Sequence, residues 1–312
     1  MNDVEVLQSG ESAQTGLEVR ASAAMAREQY EIQAAAVMAM KRPRNEHEAM
    51  VKLIKVYQRP KAAETATYYF ERAGKEISGP TVKLTRQAVR CWGNIRAGFT
   101  TVSIDDKYVH LRGYALDLET NARFEQEDKF LKKIQRKVKV GNDSVTKWVD
   151  PDERQLQELI NKKGAILERN CSLRVLPPDL IDDAIEEAEK TLQSEAKKTL
   201  KANRPDAIKA LVKVFSELNV TVEMLEKYLG HAMDLVDDKE YARLRAICVS
   251  IHDGNSTREE VFNLPKPKSA QVDDSVAEDL AKAGKVSDGI SKTVPLQEGD
   301  NSKAQDSKVS KS

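Results

Sequence analysis

Seven lysines and arginines fall between Lys129 and Lys147, at positions 129, 132, 133, 136, 137, 139 and 147, against a single acid, Asp143. Phosphates need cations, and a row of them suits a linear polyanion better than a point ligand. Two further sets lie on predicted helices: Lys83, Arg86 and Arg90 at helical spacing, and Lys162, Lys163 and Arg169. The whole chain carries 50 basic and 50 acidic residues, so its net charge is zero. Between Gly79 and Pro178 it carries 19 basic and 13 acidic ones, a local surplus of six. The candidate phosphate contacts are therefore Lys83, Arg86, Arg90, Lys132, Lys133, Arg136, Lys137, Lys139, Lys162, Lys163 and Arg169. Trp92, Tyr108, Tyr114, Phe124, Phe130 and Trp148 lie among them and offer faces on which any base can stack. Each cation taken singly also fits a solvated helix face, and each aromatic a core position.

No other constellation carries chemistry. His47, His110, His231 and His252 are isolated, with no carboxylate or cysteine at triad or metal spacing. The acid pairs Asp105-Asp106, Asp182-Asp183, Glu186-Glu187 and Asp237-Asp238 could suggest Mg²⁺ chemistry, but they read better as turns and helix starts. Neither GxxxxGK[ST] nor GxGxxG occurs, which disfavours a nucleotide-hydrolysing motor and implies no cofactor. Cys91, Cys171 and Cys248 are far apart and form no zinc motif; they fit a reducing cytoplasm. The first residues lack a basic and apolar leader, and no run of about 18–20 apolar residues exists to span a membrane.

The elements that must position these residues are legible in outline. Three period-two segments, 98–104, 107–118 and 121–133, read as strands joined by turns at Asp105-Asp106 and Glu119-Thr120. A helix from about 152 to 172 follows them, with Leu156, Leu159, Ile160 and Leu167 inward. Between sheet and helix lies the basic stretch, read as weakly structured. Gly79-Pro80 opens a helix with Pro80 in its first turn and Val82, Thr85, Val89 and Trp92 inward. Residues 61–73 read equally as helix or strand. The fold class is α+β: a three-stranded antiparallel sheet with flanking helices, an N-terminal helical arm and a small C-terminal all-α domain. The divisions are a disordered 1–16, a helical arm at 17–73, a sheet–helix core at 74–178 holding the groove, an acidic helical linker at 179–203, a helical module at 204–262, and a disordered tail at 263–312 rich in Lys, Ser, Asp, Gly and Pro.

Several strings are familiar together: QAAAVMAMKRPRNE (33–46), ISGPTVKLTRQAVRCWGNIRAG (77–98), YALDLET (114–120), KKGAILERNCSLRVLPPD (162–179) and LRAICVSIHDGNSTREEVF (244–262). Over residues 24–262 the chain resembles bacteriophage and prophage recombination proteins similar to the RecT/Redβ/Erf single-strand annealing group. The resemblance implies a hairpin-rich sheet followed by a helix, rings or filaments of many copies, and a basic groove that holds single-stranded DNA for pairing without ATP. It carries Lys83, Arg86, Arg90 and Arg96 near the Gly-Pro helix, and Arg169 in GAILERNC, as DNA contacts. It also implies that residues 204–262 dock a single-strand-binding protein or an exonuclease. This chain departs from the group after Gly164-Ala165, where Ile166, Leu167 and Glu168 stand in place of a more basic stretch; Lys162 and Lys163 lie one turn earlier.

The expectation is an ATP-independent protein of a bacterial host cytoplasm that binds and anneals single-stranded DNA in phage-type recombination, as a homo-oligomer and away from membranes. A scaffold or adaptor is the alternative from another class. A metal-dependent nuclease is weaker, because no carboxylate cluster converges in sequence.

Overall fold

The computed structural model describes residues 3–72, 75–140 and 143–262, with side chains described over 19–70, 77–136 and 147–262. The tail expected to be disordered, 263–312, lies outside these residues, as do the side chains of Lys137 and Lys139.

The chain opens with α1 (Asp3–Lys41), which begins within the segment expected to be unstructured. Extending an existing helix costs far less than nucleating one, and no proline interrupts residues 3–16. Near its end Ala39 is fully buried, while Met25, Tyr30 and Met40 are each more than two-thirds exposed. Helix α2 (Glu46–Tyr57) starts at Asn45, whose side chain accepts the Glu48 peptide N–H, and it buries Ala49, Leu53 and Tyr57. The ambiguous segment resolves into a single turn, α3 (Pro60–Ala63), and strand β1 (Thr67–Arg72), which pairs antiparallel with β2 (Lys75–Pro80).

Pro80 therefore ends a strand instead of opening a helix. Thr81 caps α4 (Val82–Trp92): its hydroxyl accepts the Leu84 N–H at 3.2 Å and donates to the Thr65 carbonyl at 2.6 Å. The buried stripe is Leu84, Thr85, Ala88 and Trp92, while Val82 and Val89, expected inward, are half-buried.

Strands β3 (Ile95–Ile104), β4 (Tyr108–Asp117) and β5 (Arg123–Leu131) form the antiparallel sheet in the order β3-β4-β5. The side chain of Asp105 closes the first turn by accepting the Lys107 N–H at 2.9 Å and that of Tyr108. Strand β4 alternates strictly, with Val109, Leu111, Gly113, Ala115 and Asp117 on the covered face. Helix α5 (Glu153–Val175), capped by Asp152, packs Ile160 and Leu167 on Val109, Leu111 and Phe130. Two glycines permit the close approach. A Cβ at Gly113 would stand 2.6 Å from that of Leu167, and one at Gly164 would stand 2.3 Å from the Phe99 ring.

The basic stretch is itself a hairpin, β6 (Ile134–Val140) paired with β7 (Asp143–Val149). Alternating Ile134, Val138, Val145 and Val149 supply β propensity that the intervening lysines mask.

Helix α6 (Pro178–Glu217) kinks where Asn203 leaves helical geometry ahead of Pro205. Residues 179–203 are the spine of the largest core and not a linker. Leu180, Ala184, Ala188, Leu192, Ala196 and Leu200 are buried at i, i+4 spacing, while Asp182, Glu186 and Glu189 between them are exposed. Helices α7 (Val222–Leu229), α8 (Asp238–His252) and α9 (Arg258–Val261) complete the all-α C-terminal part. Phe215, Leu225, Leu244 and Ile247 join the same core as Leu53 and Leu84, so residues 204–262 do not hang on a tether. Among the described residues, no helix is long and apolar enough to cross a membrane.

The link between α1 and α2 is pinned to the end of the sheet by Arg44. Its side chain is 7% exposed and lies 5.2 Å from the Trp92 ring centroid. It donates to Asp117 and, at 2.9 Å, to Glu119, which also accepts the Asn94 amide at 2.6 Å. Burial opposes the guanidinium charge, but the two carboxylates outweigh it and raise its pKa.

Candidate nucleic-acid interface

Strand alternation turns Tyr68 and Phe70 to one side of the β1–β2 ribbon and Tyr69 to the other. The Tyr68 and Phe70 rings lie 5.8 Å apart and nearly parallel, at 12°. Gly79, the cross-strand partner of Tyr68, leaves room for the ring: a Cβ there would stand 2.6 Å from the Tyr68 hydroxyl. Arg169 of α5 places its guanidinium 5.1 Å from the Tyr68 centroid and donates to Asn170 Oδ1 at 3.0 Å. These two aromatics floor a groove of 520 Å³, whose rim carries Lys83, Lys162, Arg169 and Asp253. An aromatic floor with cations on both banks can stack a base and neutralise the phosphates beside it.

The groove joins three of the twelve sequence-predicted contacts: Lys83 from α4, and Lys162 and Arg169 from α5. Lys162 is exposed and has no partner among the described residues. Arg86, one turn beyond Lys83, gives Nε and Nη2 to the two Glu168 oxygens at 2.8 and 2.5 Å, and these bonds hold its pKa up. Lys83 Nζ meets Asp253 Oδ2 at 2.6 Å. Arg90 continues the stripe, exposed and without a partner among the described residues.

The other contacts lie elsewhere. Lys163 faces the sheet, 3.6 Å from Asp128 and 5.4 Å from the Phe130 centroid, so it braces α5 on β5. Arg96 is half-buried on β3 opposite Leu116, on the sheet face that α5 does not cover. That open face is largely self-neutralised. Arg112 and His110 both meet Glu127, at 2.8 and 3.0 Å, and the Arg112 hydrogen bond is the main cause of a lowered Glu127 pKa. Lys129 covers the Tyr108 ring at 4.5 Å. Lys132 and Lys133 are half-buried at the base of the β6–β7 hairpin, and Arg136 is exposed on it. The backbones of Lys137 and Lys139 belong to the same strand.

The aromatics divide in the same way. Trp92 and Phe130 are core residues, at 7% and 8% exposure, and offer no stacking face. Arg174 sits 5.7 Å from the Phe124 centroid, and Trp148 is half-buried on β7. The two that line the groove, Tyr68 and Phe70, are absent from the sequence-predicted set. Their signal was the strand-favouring aromatic run Tyr68-Tyr69-Phe70 in TYYFER, which competes with the helix-prone KAAETA before it. Asp253 escaped because it comes from the far end of α8, brought in by the shared core.

Among the described residues, no three His, Cys, Asp or Glu side chains converge as a metal ion would need. No protein-family model, curated protein or solved structure matches this chain.

Proposed function

We propose that this protein binds single-stranded DNA along the α4–α5 groove and promotes annealing of complementary strands without nucleotide hydrolysis, in phage-type recombination in a bacterial cytoplasm. The observation that carries the reading is the meeting of Tyr68 and Phe70 with Lys83, Lys162 and Arg169 around one open groove. Stacking on aromatic faces requires bases free of a duplex and contributes about 1–3 kcal/mol per base. The cations supply a term that is independent of sequence and sensitive to salt. Arg90, one turn beyond Arg86 on α4, and Arg136, exposed on β6, are further cations outside the groove. They suit a strand longer than one base.

Oligomerisation belongs to the same reading, because it multiplies weak contacts along a strand. Its support is α1, whose Met25, Tyr30 and Met40 are 72%, 71% and 72% exposed. Exposed apolar side chains in such number favour a protein contact, either with a second copy or with a scaffolded partner. A single-strand-binding protein or an exonuclease docked on 204–262 is part of the proposal; Leu235, at 69% exposure, is an apolar contact available there.

The test is binding of fluorescent oligo-dT at two salt concentrations, followed by annealing of complementary oligonucleotides without ATP or Mg²⁺. Salt-sensitive binding together with accelerated annealing is expected. A folded protein that binds nothing at low salt sinks the reading and leaves the adaptor role, for which α1 is the supporting feature.

A further inference from the structure

We infer that Asp253 and Glu168 are built-in competitors for the phosphates of the groove's ligand, each holding a cation that a phosphate would otherwise take. The inference rests on the groove reading above and adds what sets its affinity. Lys83, Arg86 and Arg90 stand at i, i+3 and i+7 on α4, a spacing that places them on one stripe. Two of the three are engaged by acids distant in sequence, Glu168 on α5 and Asp253 after α8. The Arg86–Glu168 pair is bidentate, the geometry in which arginine takes a phosphate.

The exposures are unequal in an informative way. The cations are 51% and 55% exposed, while Asp253 and Glu168 are 21% and 12% exposed. A phosphate arriving from solvent can therefore reach the cations while the acids stay behind them. Asp253 is also misplaced for its own helix. It is the C-cap of α8, where the macrodipole disfavours negative charge, and the Lys83 ammonium offsets that. A second neighbour, His252 Nδ1 at 3.7 Å, is exposed and carries no directed contact to the groove. Ligand binding is thus an exchange of one anion for another, which keeps a bound strand releasable.

Asp253→Asn and Glu168→Gln are predicted to tighten oligo-dT binding about five-fold each, the equivalent of a partly exposed ion pair. Each should also steepen the salt slope by about 0.7, one phosphate contact on a single strand. Lys83→Ala added to Asp253→Asn should abolish that gain, and Arg86→Ala should do the same for Glu168→Gln. Glu195→Gln, which frees Lys198 on α6, is the control for net charge and should change nothing. The measurement is fluorescence anisotropy of labelled oligo-dT over a salt series on full-length protein, with folding verified by thermal melting. Wild-type binding with no tightening in either variant overturns the inference alone. Equal tightening in Glu195→Gln, or tightening that survives Lys83→Ala, overturns it too. Absence of binding by wild type and every variant removes the groove reading itself.

Discussion

Arg44 and Arg86 both grip carboxylates, yet they occupy opposite physical regimes. Arg44 is 7% exposed, shared between Asp117 and Glu119, and backed by the Trp92 ring. Arg86 is 55% exposed, on a single carboxylate, at the border of an open groove. The first ties the α1–α2 link to the sheet and is largely shielded from solvent. The second is solvent-exposed and available for exchange. A basic residue becomes a binding candidate through the access that its partner leaves it, and the number of ion pairs in a region does not settle the matter.

Arg44→Met breaks this comparison hardest. It strands two carboxylates, of which Asp117 is 3% exposed, and should cost about 3–5 kcal/mol in chemical denaturation. Arg86→Ala should cost under about 1 kcal/mol. Equal losses would erase the distinction between the two regions. Gly113→Ala comes next, at about 1–3 kcal/mol, because the new methyl would press on the α5 backbone at Leu167, which has no room to yield. Since α5 carries Lys162 and Arg169, that variant should weaken oligo-dT binding as well as stability.

Lys162→Ala with Arg169→Ala should leave the melting temperature nearly unchanged, cut oligo-dT affinity about ten-fold or more, and flatten the salt slope by about 1.4. Lys132, Lys133 and Arg136 to Ala together should cost less, because their hairpin lies outside the aromatic groove. A larger loss in the hairpin variant than in the groove variant would move the interface to β6–β7. The smallest effect belongs to His231. Its bond to the Ala232 carbonyl, and then its contact with Glu240 at 2.9 Å, raise its pKa above the ordinary 6.5. The fold favours the charged ring, so its contribution is complete below the ordinary range and is lost as pH rises through the raised value. A His231→Gln variant should therefore melt below wild type at about pH 5.5 and converge with it at about pH 8.5.

The central sheet was legible because its strands obey one rule. Period-two alternation places β3, β4 and β5 within a few residues of the predicted segments, and Asp105 closes the first turn as its residue type suggests. The β6–β7 hairpin obeys the same rule but was hidden, because lysines occupy the positions between its β-branched residues. The spine of α6 shows the opposite failure. Its acids suggested a solvated linker, while the alanines between them form a narrow buried stripe that average polarity conceals. The groove was legible only in part, since Lys83, Lys162 and Arg169 are conspicuous cations. Its floor and its competing acid come from β1 and the end of α8, which only tertiary packing brings to α4. Glu168, noted in sequence as a departure from a basic pattern, takes on meaning once its oxygens are found on Arg86.

The most direct test is photocrosslinking with an oligonucleotide carrying 5-iodouracil, which couples to aromatic side chains in stacking contact, followed by peptide mapping. The account predicts adducts on Tyr68 or Phe70, diminished by Lys162→Ala with Arg169→Ala. Adducts confined to Tyr108 or Tyr114 on the open sheet face, or to Trp148 on the hairpin, would contradict it.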